Sequence, residues 1–534
     1  TVVVSALHAV DGDDLAILIA LATVRLTSSS ASTTTTASPA STTAIPGTTA
    51  IPALATTIAL SSPVVVATVA LSSSVVVAIA VATAPRLASS LSSSVPWTLI
   101  TVVRAPAGPA PCLWTLAPTS FRALAPDHPR RAAFAAYKER GGTPLAQHAL
   151  YDVLFEQLPV ARQTYAGWEN FAPEFHDPLS AETRKFAKAH QDRVDYYIYL
   201  QWNAQAQLAA AQSRAKAAGM AIGLYLDLAV GVVPGGSDVW RNRDAFAPGI
   251  SLGAPGDAAN PDGQRWNLLP LRPDRFDGRQ PANTAFRAAL RAAMTCAGAV
   301  RIDHVLGLSR SFWIPQDAPG GYVAYPFARL MQIISEESHA ARCLIFGEDL
   351  GTVPDGFRDR MADHQLLGCS VQMIERGHHG ELLPRDAARS LAMNAWSNHD
   401  FPTVAGFWTE RDLAWRETLE IGVASLPWER EQRARDRHDM ATFAGLEPTP
   451  DRLSPADMAT LQAYLAAGPS LAFAVQLDDL LLSEDQPNVP GTTSEQPNWR
   501  RRTAQPLEAI LTDPSVALIL DAIAAARPAE KTQK

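Results

Sequence analysis

Short apolar runs that stop at charged residues recur along the chain. AIGLYLDLAVG (221–231) carries Asp227, AGAVRIDH (297–304) closes on Asp303, CLIFGEDLG (343–351) breaks at Glu348 and Asp349, and LAMNAWSNHD (391–400) ends in His399 and Asp400. Runs of this length bounded by turn residues predict buried strands, so the acids mark strand ends. One such acid is ordinary, because a strand leaving the core meets solvent. A repeated pattern asks for a common cause. Between the runs, apolar positions fall at helical spacing: 130–158 reads as a helix pair around a Gly-Gly break and 181–220 as long helices leading into the strand that follows. Further helices are predicted at 284–296, 325–341, 404–424, 429–445 and 454–467. Strands that alternate with helices predict parallel βαβ units.

The first hundred residues differ in character. From 26 to 85 there is no charged residue, and Ser, Thr, Ala, Val and Pro dominate; no functional residue is assigned there. An ordinary globular mixture begins near residue 112. The expected organisation is an N-terminal part of a barrel over 1–111, an inserted, mainly helical subdomain over 112–220, and the rest of the catalytic barrel with lid loops over 221–534. The expected class is α/β, a TIM (β/α)8 barrel with inserted helical subdomains and long rim loops, which a chain of 534 residues can accommodate.

Charge and cysteines narrow the chemistry. A formal charge of −8 gives no reason to expect nucleic acid, which needs a concentrated basic surface. The four cysteines are widely spaced with no CxxC pair, so neither a zinc site nor a disulfide framework is indicated, and a cytoplasmic setting is expected. No membrane span is expected either, since three serines interrupt the most apolar stretch, 64–84. GHHG (377–380) lacks further ligands for a metal, and no phosphate-cradling loop is present, so no metal and no cofactor are expected.

The acids carry the argument further. Asp303 to Glu348 spans 45 positions and Glu348 to Asp400 spans 52, each enough for one or two βα units at roughly 30 residues per unit. In a parallel barrel the C-terminal strand ends gather at one rim, so acids distant in sequence converge. Converging carboxylates suit glycosidic bond cleavage, in which one carboxyl is protonated and the other ionised. Desolvation and adjacent negative charge raise one pKa, while a neighbouring arginine keeps the other acid ionised. Arg301 stands two residues before Asp303, and strand alternation turns both to one face.

RIDHVLGL (301–308), FGEDLG (346–351) and SNHDFPTVAGFW (397–408) together resemble the three catalytic blocks of the 4-α-glucanotransferases, or amylomaltases, a branch of the α-amylase superfamily. The likeness extends through WENFAPEFHDP, YLQWNAQAQL, GMAIGLYLDLAVGVVPGGSDVW, GAPGDAANPDGQRWNLLPLRPDRF and DQPNVPGTTSEQPNW, covering roughly 120–510. It implies Asp303 as nucleophile, Glu348 as general acid and base, and Asp400 as the stabiliser that binds sugar hydroxyls. Arg301 and His399 would contact the nucleophile and the sugar, and Asp227 would stand at the rim. The family's lid loop falls on 253–266, which makes Asp257, Gln264 and Trp266 candidates for glucan contacts. The implied substrates are maltodextrins, with maltose or glucose as acceptors. Two departures stand out: Asn398 replaces a usual threonine, and Asn267 replaces a glycine after the lid tryptophan. VVVSALHAV (2–10) faintly resembles the family's first-strand block, which would put that strand and any accessory domain before Thr1.

Rival readings keep their place. A hydrolase would use the same acids with water as acceptor, and a silent glucan-binding protein would use the cleft without chemistry. GISLG (249–253) matches the elbow of serine hydrolases around Ser251, but that motif requires a preceding strand and a following helix, and NRDAFAP precedes it here. QDAPGGYVAYP (316–326) and NVPGTTSEQPNW (488–499) are candidates to cover the cleft and exclude water.

Overall fold

The computed structural model describes residues 124–158, 167–256, 263–490, 492 and 495–527, together with the backbone of two strands at 65–71 and 75–81. The remainder of the N-terminal segment and Asp257 lie outside the described residues.

Strands in chain order are β1 (Val65–Leu71), β2 (Val75–Val81), β3 (Leu224–Leu228), β4 (Ile250–Ala254), β5 (Gln264–Arg265), β6 (Ala299–Ile302), β7 (Arg310–Pro315), β8 (Gly321–Ala324), β9 (Leu344–Gly347), β10 (Leu367–Val371), β11 (Ala392–Ala395) and β12 (Ala472–Gln476). Six of them form a curled parallel sheet in the order β3-β6-β9-β10-β11-β12. These strands are apolar almost throughout because both faces are covered, one by the interior and one by helices. The acid-tipped runs at 221–231, 297–304, 343–351 and 391–400 thus supply β3, β6, β9 and β11.

The all-parallel eightfold alternation is not reproduced. β1 pairs parallel with β12, but β2 runs antiparallel to both β1 and β3, and this hairpin closes the ring of eight strands. Three positions separate β1 from β2, whereas a parallel crossover needs a dozen or more, so the pair forms a hairpin.

The helices used below are α1 (Pro129–Glu156), α2 (Gln191–Ala217), α3 (Pro281–Met294), α4 (Phe327–Ala341), α5 (Val404–Trp408), α6 (Leu426–Ala444), α7 (Pro455–Ala466) and α8 (Pro514–Ala526). Gly142 (φ 51°, ψ −147°) kinks α1 where the Gly-Gly break predicted two helices. The single helix expected over 404–424 divides, because Glu410 takes φ 58° between α5 and a second helix, Arg411–Thr418. α3 and α4 are tied on the outside by Arg287 and Arg291, whose guanidinium groups converge on the buried Glu337, with Arg291 Nε 2.6 Å from it.

Two further layers border the C-terminal rim. A four-stranded antiparallel sheet, β5-β4-β7-β8, is built from the excursions after β3 and β6. β8 lies within QDAPGGYVAYP, so that segment is partly strand and not a free flap. On another side α1 and α2 bury Tyr151, Phe171, Val194, Ile198 and Trp240 in a cluster of their own. Tyr151 Oη donates to the Gly235 carbonyl at 2.6 Å and His148 Nδ1 lies 2.8 Å from Ser237 Oγ, so this layer holds the chain that follows β3.

Candidate active site

The parallel ladder continues one step past the strands. Asp303 N–H donates to the Leu228 carbonyl (3.0 Å) and Glu348 N–H to the Ile302 carbonyl (2.9 Å), which places both acids at the C-terminal ends of neighbouring strands. Successive side chains alternate in direction, so Glu348 and Asp349 part ways. Asp349 is fully buried among Arg358 (Nε, 2.8 Å), Arg389 (Nη2, 3.2 Å) and the Cys369 N–H (2.9 Å), pinning the end of β9 to β10. Glu348 accepts N–H bonds from His304 on Oε2 (2.9 Å) and from Leu350 on Oε1 (2.7 Å). The apolar run therefore ends in two acids with separate duties, one anchoring the strand and one held at the rim by backbone amides.

Arg301 links the carboxylates. Its Nη1 is 2.6 Å from Asp227 Oδ2 and its Nη2 is 2.8 Å from Asp303 Oδ1, so one buried guanidinium bridges adjacent strands. Register explains the reach, since Asp227 and Arg301 sit directly across from each other in β3 and β6. Asp227 is raised above the ordinary range, because burial outweighs Arg301, and its Oδ1 is buried with no hydrogen-bond partner. Burial also pushes Glu348 up to about 7; the charge of Asp303 adds to this, while Arg301 and the two backbone N–H bonds oppose it. A carboxyl near 7 can both give and take a proton at neutral pH.

Asp400 is reached from the other side of the sheet. It lies beyond β11 in a loop whose entry is fixed by Trp396, a fully buried indole donating to the Leu461 carbonyl at 2.9 Å. Asn398 Oδ1 accepts the Asp400 N–H at 2.9 Å, so asparagine supplies the side-chain turn here. The loop then enters α5, where Asp479 accepts the Val404 N–H (2.7 Å) and a Cβ at Gly406 would stand 2.2 Å from the Glu484 carbonyl, which demands glycine. His399 Nε2 lies 3.0 Å from Asp400 Oδ2, and Asn488 Nδ2 donates to Oδ1 at 2.8 Å. Burial alone would raise Asp400, yet these two partners bring it below the ordinary range; for His399, burial is likewise outweighed by Asp400, and its pKa rises. Each favours the charged form of the other. Arg301 acts on Glu348 and Asp400 alike, and Asp227 on His399, so the four acids, Arg301 and His399 form one electrostatic unit.

The predicted loop residues fall as follows. Trp266 packs edge-on against the His304 ring (centroids 5.0 Å, 77°), and its Nε1 donates to Gln264 Oε1 at 3.0 Å, so both belong to this corner. Asp257 lies outside the described residues. Asn267 adopts φ 57°, a left-handed conformation that asparagine tolerates and glycine prefers. Its N–H bonds Ser251 Oγ at 2.9 Å, and Ser251 is a buried residue within β4 whose hydroxyl donates to Leu252; it is not a nucleophile on a strand-to-helix turn.

Three contributors are not among the numbered candidates of the sequence reading. Asn488 and Trp499, whose ring lies 5.2 Å from that of His399, come from the segment 488–499 that was assigned to cover the cleft. The third is His304, with φ 46° and ψ 58°, a conformation that costs a non-glycine residue roughly 1–2 kcal/mol and that no sequence pattern announces. A separate outer groove of about 830 Å³, lined by Arg385, Phe443, Tyr464 and Leu518 among others, contains none of these carboxylates.

Comparison with known proteins shows the family. Residues 112–508 match the family described as 4-alpha-glucanotransferase. The chain is 37% identical over 415 residues to the 4-alpha-glucanotransferase of Mycobacterium tuberculosis, covering 74% of this chain and 56% of that protein. It is 36% identical over 406 residues to that of Haemophilus influenzae, covering 72% and 57%. Among solved structures, the amylomaltase of Corynebacterium glutamicum superposes with a TM-score of 0.64 at 27% identity, covering 76% of this chain and 58% of that one. Amylomaltase from Streptococcus agalactiae, solved with acarbose, shares the fold at a TM-score of 0.59 and 16% identity, covering 75% of each chain. The chain thus spans little more than half the length of the curated relatives it matches.

Proposed function

The chain belongs to the 4-alpha-glucanotransferase family, and on that premise we propose that it moves α-1,4-glucan segments between maltodextrins by retaining double displacement. The observation that carries this reading is the pairing of opposite environments at neighbouring strand ends: Asp303 is held by a buried arginine, and Glu348 is pushed up to about 7 by burial. That division is what a nucleophile and an acid-base need.

In the proposed sequence Asp303 attacks the anomeric carbon of a bound glucan while Glu348 gives its proton to the departing glycosidic oxygen. The bond to the leaving chain breaks and an ester bond to Asp303 forms. Glu348, now ionised, takes the proton of an acceptor sugar's 4-hydroxyl, whose oxygen displaces Asp303 and restores the α-linkage. Two inversions give net retention, with the two carboxyls expected about 5 Å apart. Asp400, ionised beside His399, takes hydroxyl hydrogen bonds of the reacting sugar, and Gln264 and Trp266 face the glucan. Maltodextrins serve as donors, and glucose, maltose and longer sugars as acceptors.

The parent architecture in this reading is the (β/α)8 barrel, with 112–220 as an inserted helical subdomain. The buried free cysteines Cys296, Cys343 and Cys369 accord with a reducing, cytoplasmic setting; among the described residues no helix is long and apolar enough to cross a membrane. Incubation with maltotriose tests the function. Glucose together with chains longer than three sugars supports transfer, shorter sugars alone indicate hydrolysis, and an unchanged length distribution indicates a binding protein.

A further inference from the structure

His304 lies next to Asp303 but takes no part in the chemistry described above. Its backbone is left-handed (φ 46°, ψ 58°), uncommon for any residue other than glycine, and such strain persists only where the surroundings over-determine it. Two surroundings do so. The peptide N–H is spent on Glu348 Oε2 at 2.9 Å, and the ring, most of it buried, meets the Trp266 indole edge-on at 5.0 Å. Trp266 is in turn fixed through its own N–H to the Leu252 carbonyl (2.9 Å) and its indole N–H to Gln264. A chain of contacts therefore runs from the strand pair β4–β5 through two rings to one oxygen of the Glu348 carboxyl.

We propose that His304 is a positioning residue for Glu348: its ring, locked against Trp266, holds the strained turn that aims the 304 N–H at Oε2, so the lid tryptophan governs how the acid-base carboxyl is oriented. The inference rests on the reading of Glu348 as acid-base. Its direction follows from charge. An N–H donated to a carboxylate favours the ionised form, so losing it raises the affinity of Glu348 for its proton. The other groups facing Glu348 stay in place when the ring is removed: Arg301 and Asp303 at the end of β6, the Leu350 N–H on its own loop, and the Cys369 thiol on β10, with Asp227 and His399 one step further through Arg301. Burial lowers the pKa of His304 from its ordinary 6.5, so the ring is neutral at pH 7 and its removal takes away no charge.

The test separates ring from backbone. Glycine adopts the left-handed turn without strain but has no ring, so His304→Gly keeps the geometry available and discards the lock. Trp266→Ala discards the other half of the same lock. Carboxyl ¹³C NMR of Glu-labelled full-length protein, with Glu348→Gln to identify the signal, reads the Glu348 titration without reference to activity. Both variants are expected to move that titration upward by about 0.5–1 pH unit, a three- to tenfold gain in proton affinity, and to carry the basic limb of kcat/KM on maltotriose with it. A titration left in place in either folded variant overturns the proposal, and if one variant does not fold the other decides. If the titration moves while the wild-type protein transfers no glucan, the positioning stands as structure and the proposed function fails.

Discussion

Arg301 is the residue whose loss the account predicts most sharply. Its buried guanidinium bridges Asp227 and Asp303 at 2.6 and 2.8 Å. Replacing it with methionine removes the cation and leaves the two carboxylates facing each other. Breaking a buried ion pair by deleting one partner costs about 3–5 kcal/mol, because the survivor stays in a poorly solvated place. At 1.36 kcal/mol per pKa unit this amounts to about two to four units shared by the buried carboxyls on which Arg301 acts, Asp227 and Glu348. Asp303 has 35% of its side chain exposed and is partly resolvated, whereas Asp227, with an unpartnered Oδ1, takes the larger share. Even a third of the total raises Glu348 by about one unit. Initial rates of glucose release from maltotriose across the pH range measure the effect. Arg301→Met should move the basic limb of kcat/KM, set by Glu348, upward by about one unit and lower kcat at neutral pH by roughly 10²–10³. Arg301→Lys should fall between, since a single ammonium cannot span both acids as a fork does. An Arg301→Met enzyme with the wild-type basic limb would falsify the idea that this cation holds down the proton affinity of Glu348.

Other outcomes follow from the same geometry. Glu348 lies near 7 in the folded protein against an ordinary 4.5, a difference worth roughly 3 kcal/mol; a raised carboxyl contributes fully below 4.5 and loses that contribution as pH climbs through 7. Glu348→Gln should therefore gain thermal stability over the wild type at pH 8 relative to pH 5, and an equal difference at both would contradict it. Asp349→Ala takes the acceptor from the Cys369 N–H and from Arg358 and Arg389, whose side chains are 42% and 27% exposed and recover part of the loss from water, so urea unfolding should report a loss of about 1–3 kcal/mol, with Asp349→Asn milder. Asn488→Ala removes a charge-assisted bond to Asp400, and should cut kcat/KM by about ten- to hundredfold while the protein keeps its fold by circular dichroism.

Much of this was legible because strands and the acids at their ends share one signal. The runs around Asp227, Asp303, Glu348 and Asp400 are apolar where both sheet faces are covered and polar where the strand leaves, so a one-dimensional pattern marked the rim. The Arg301–Asp303 pairing followed from strand alternation alone. What stayed hidden depends on three-dimensional closure. Asn488 lies 88 positions from Asp400, and nothing in either segment specifies that the amide meets the carboxylate. The left-handed turn at His304 hides because histidine, although enriched at positive φ, adopts it at only a small fraction of its positions. The apolar spacing over 404–424 predicts one helix because it continues across Glu410, where the backbone reverses hand. The expectation of eight parallel strands came from alternation of elements, which stops short of β1 and β2, where three residues leave no room for a crossover.

The claim on which the rest stands is that Asp303 forms a bond to sugar while Glu348 manages the proton. Glu348→Gln supplied with maltosyl fluoride, whose leaving group needs no acid, should accumulate a glycosyl ester, because the amide cannot activate the acceptor. Digestion and mass spectrometry of the quenched enzyme should then place the added maltosyl mass on the peptide carrying Asp303, and Asp303→Asn in the same background should abolish it. A label on another residue, or none while the fluoride is still consumed, would contradict the account.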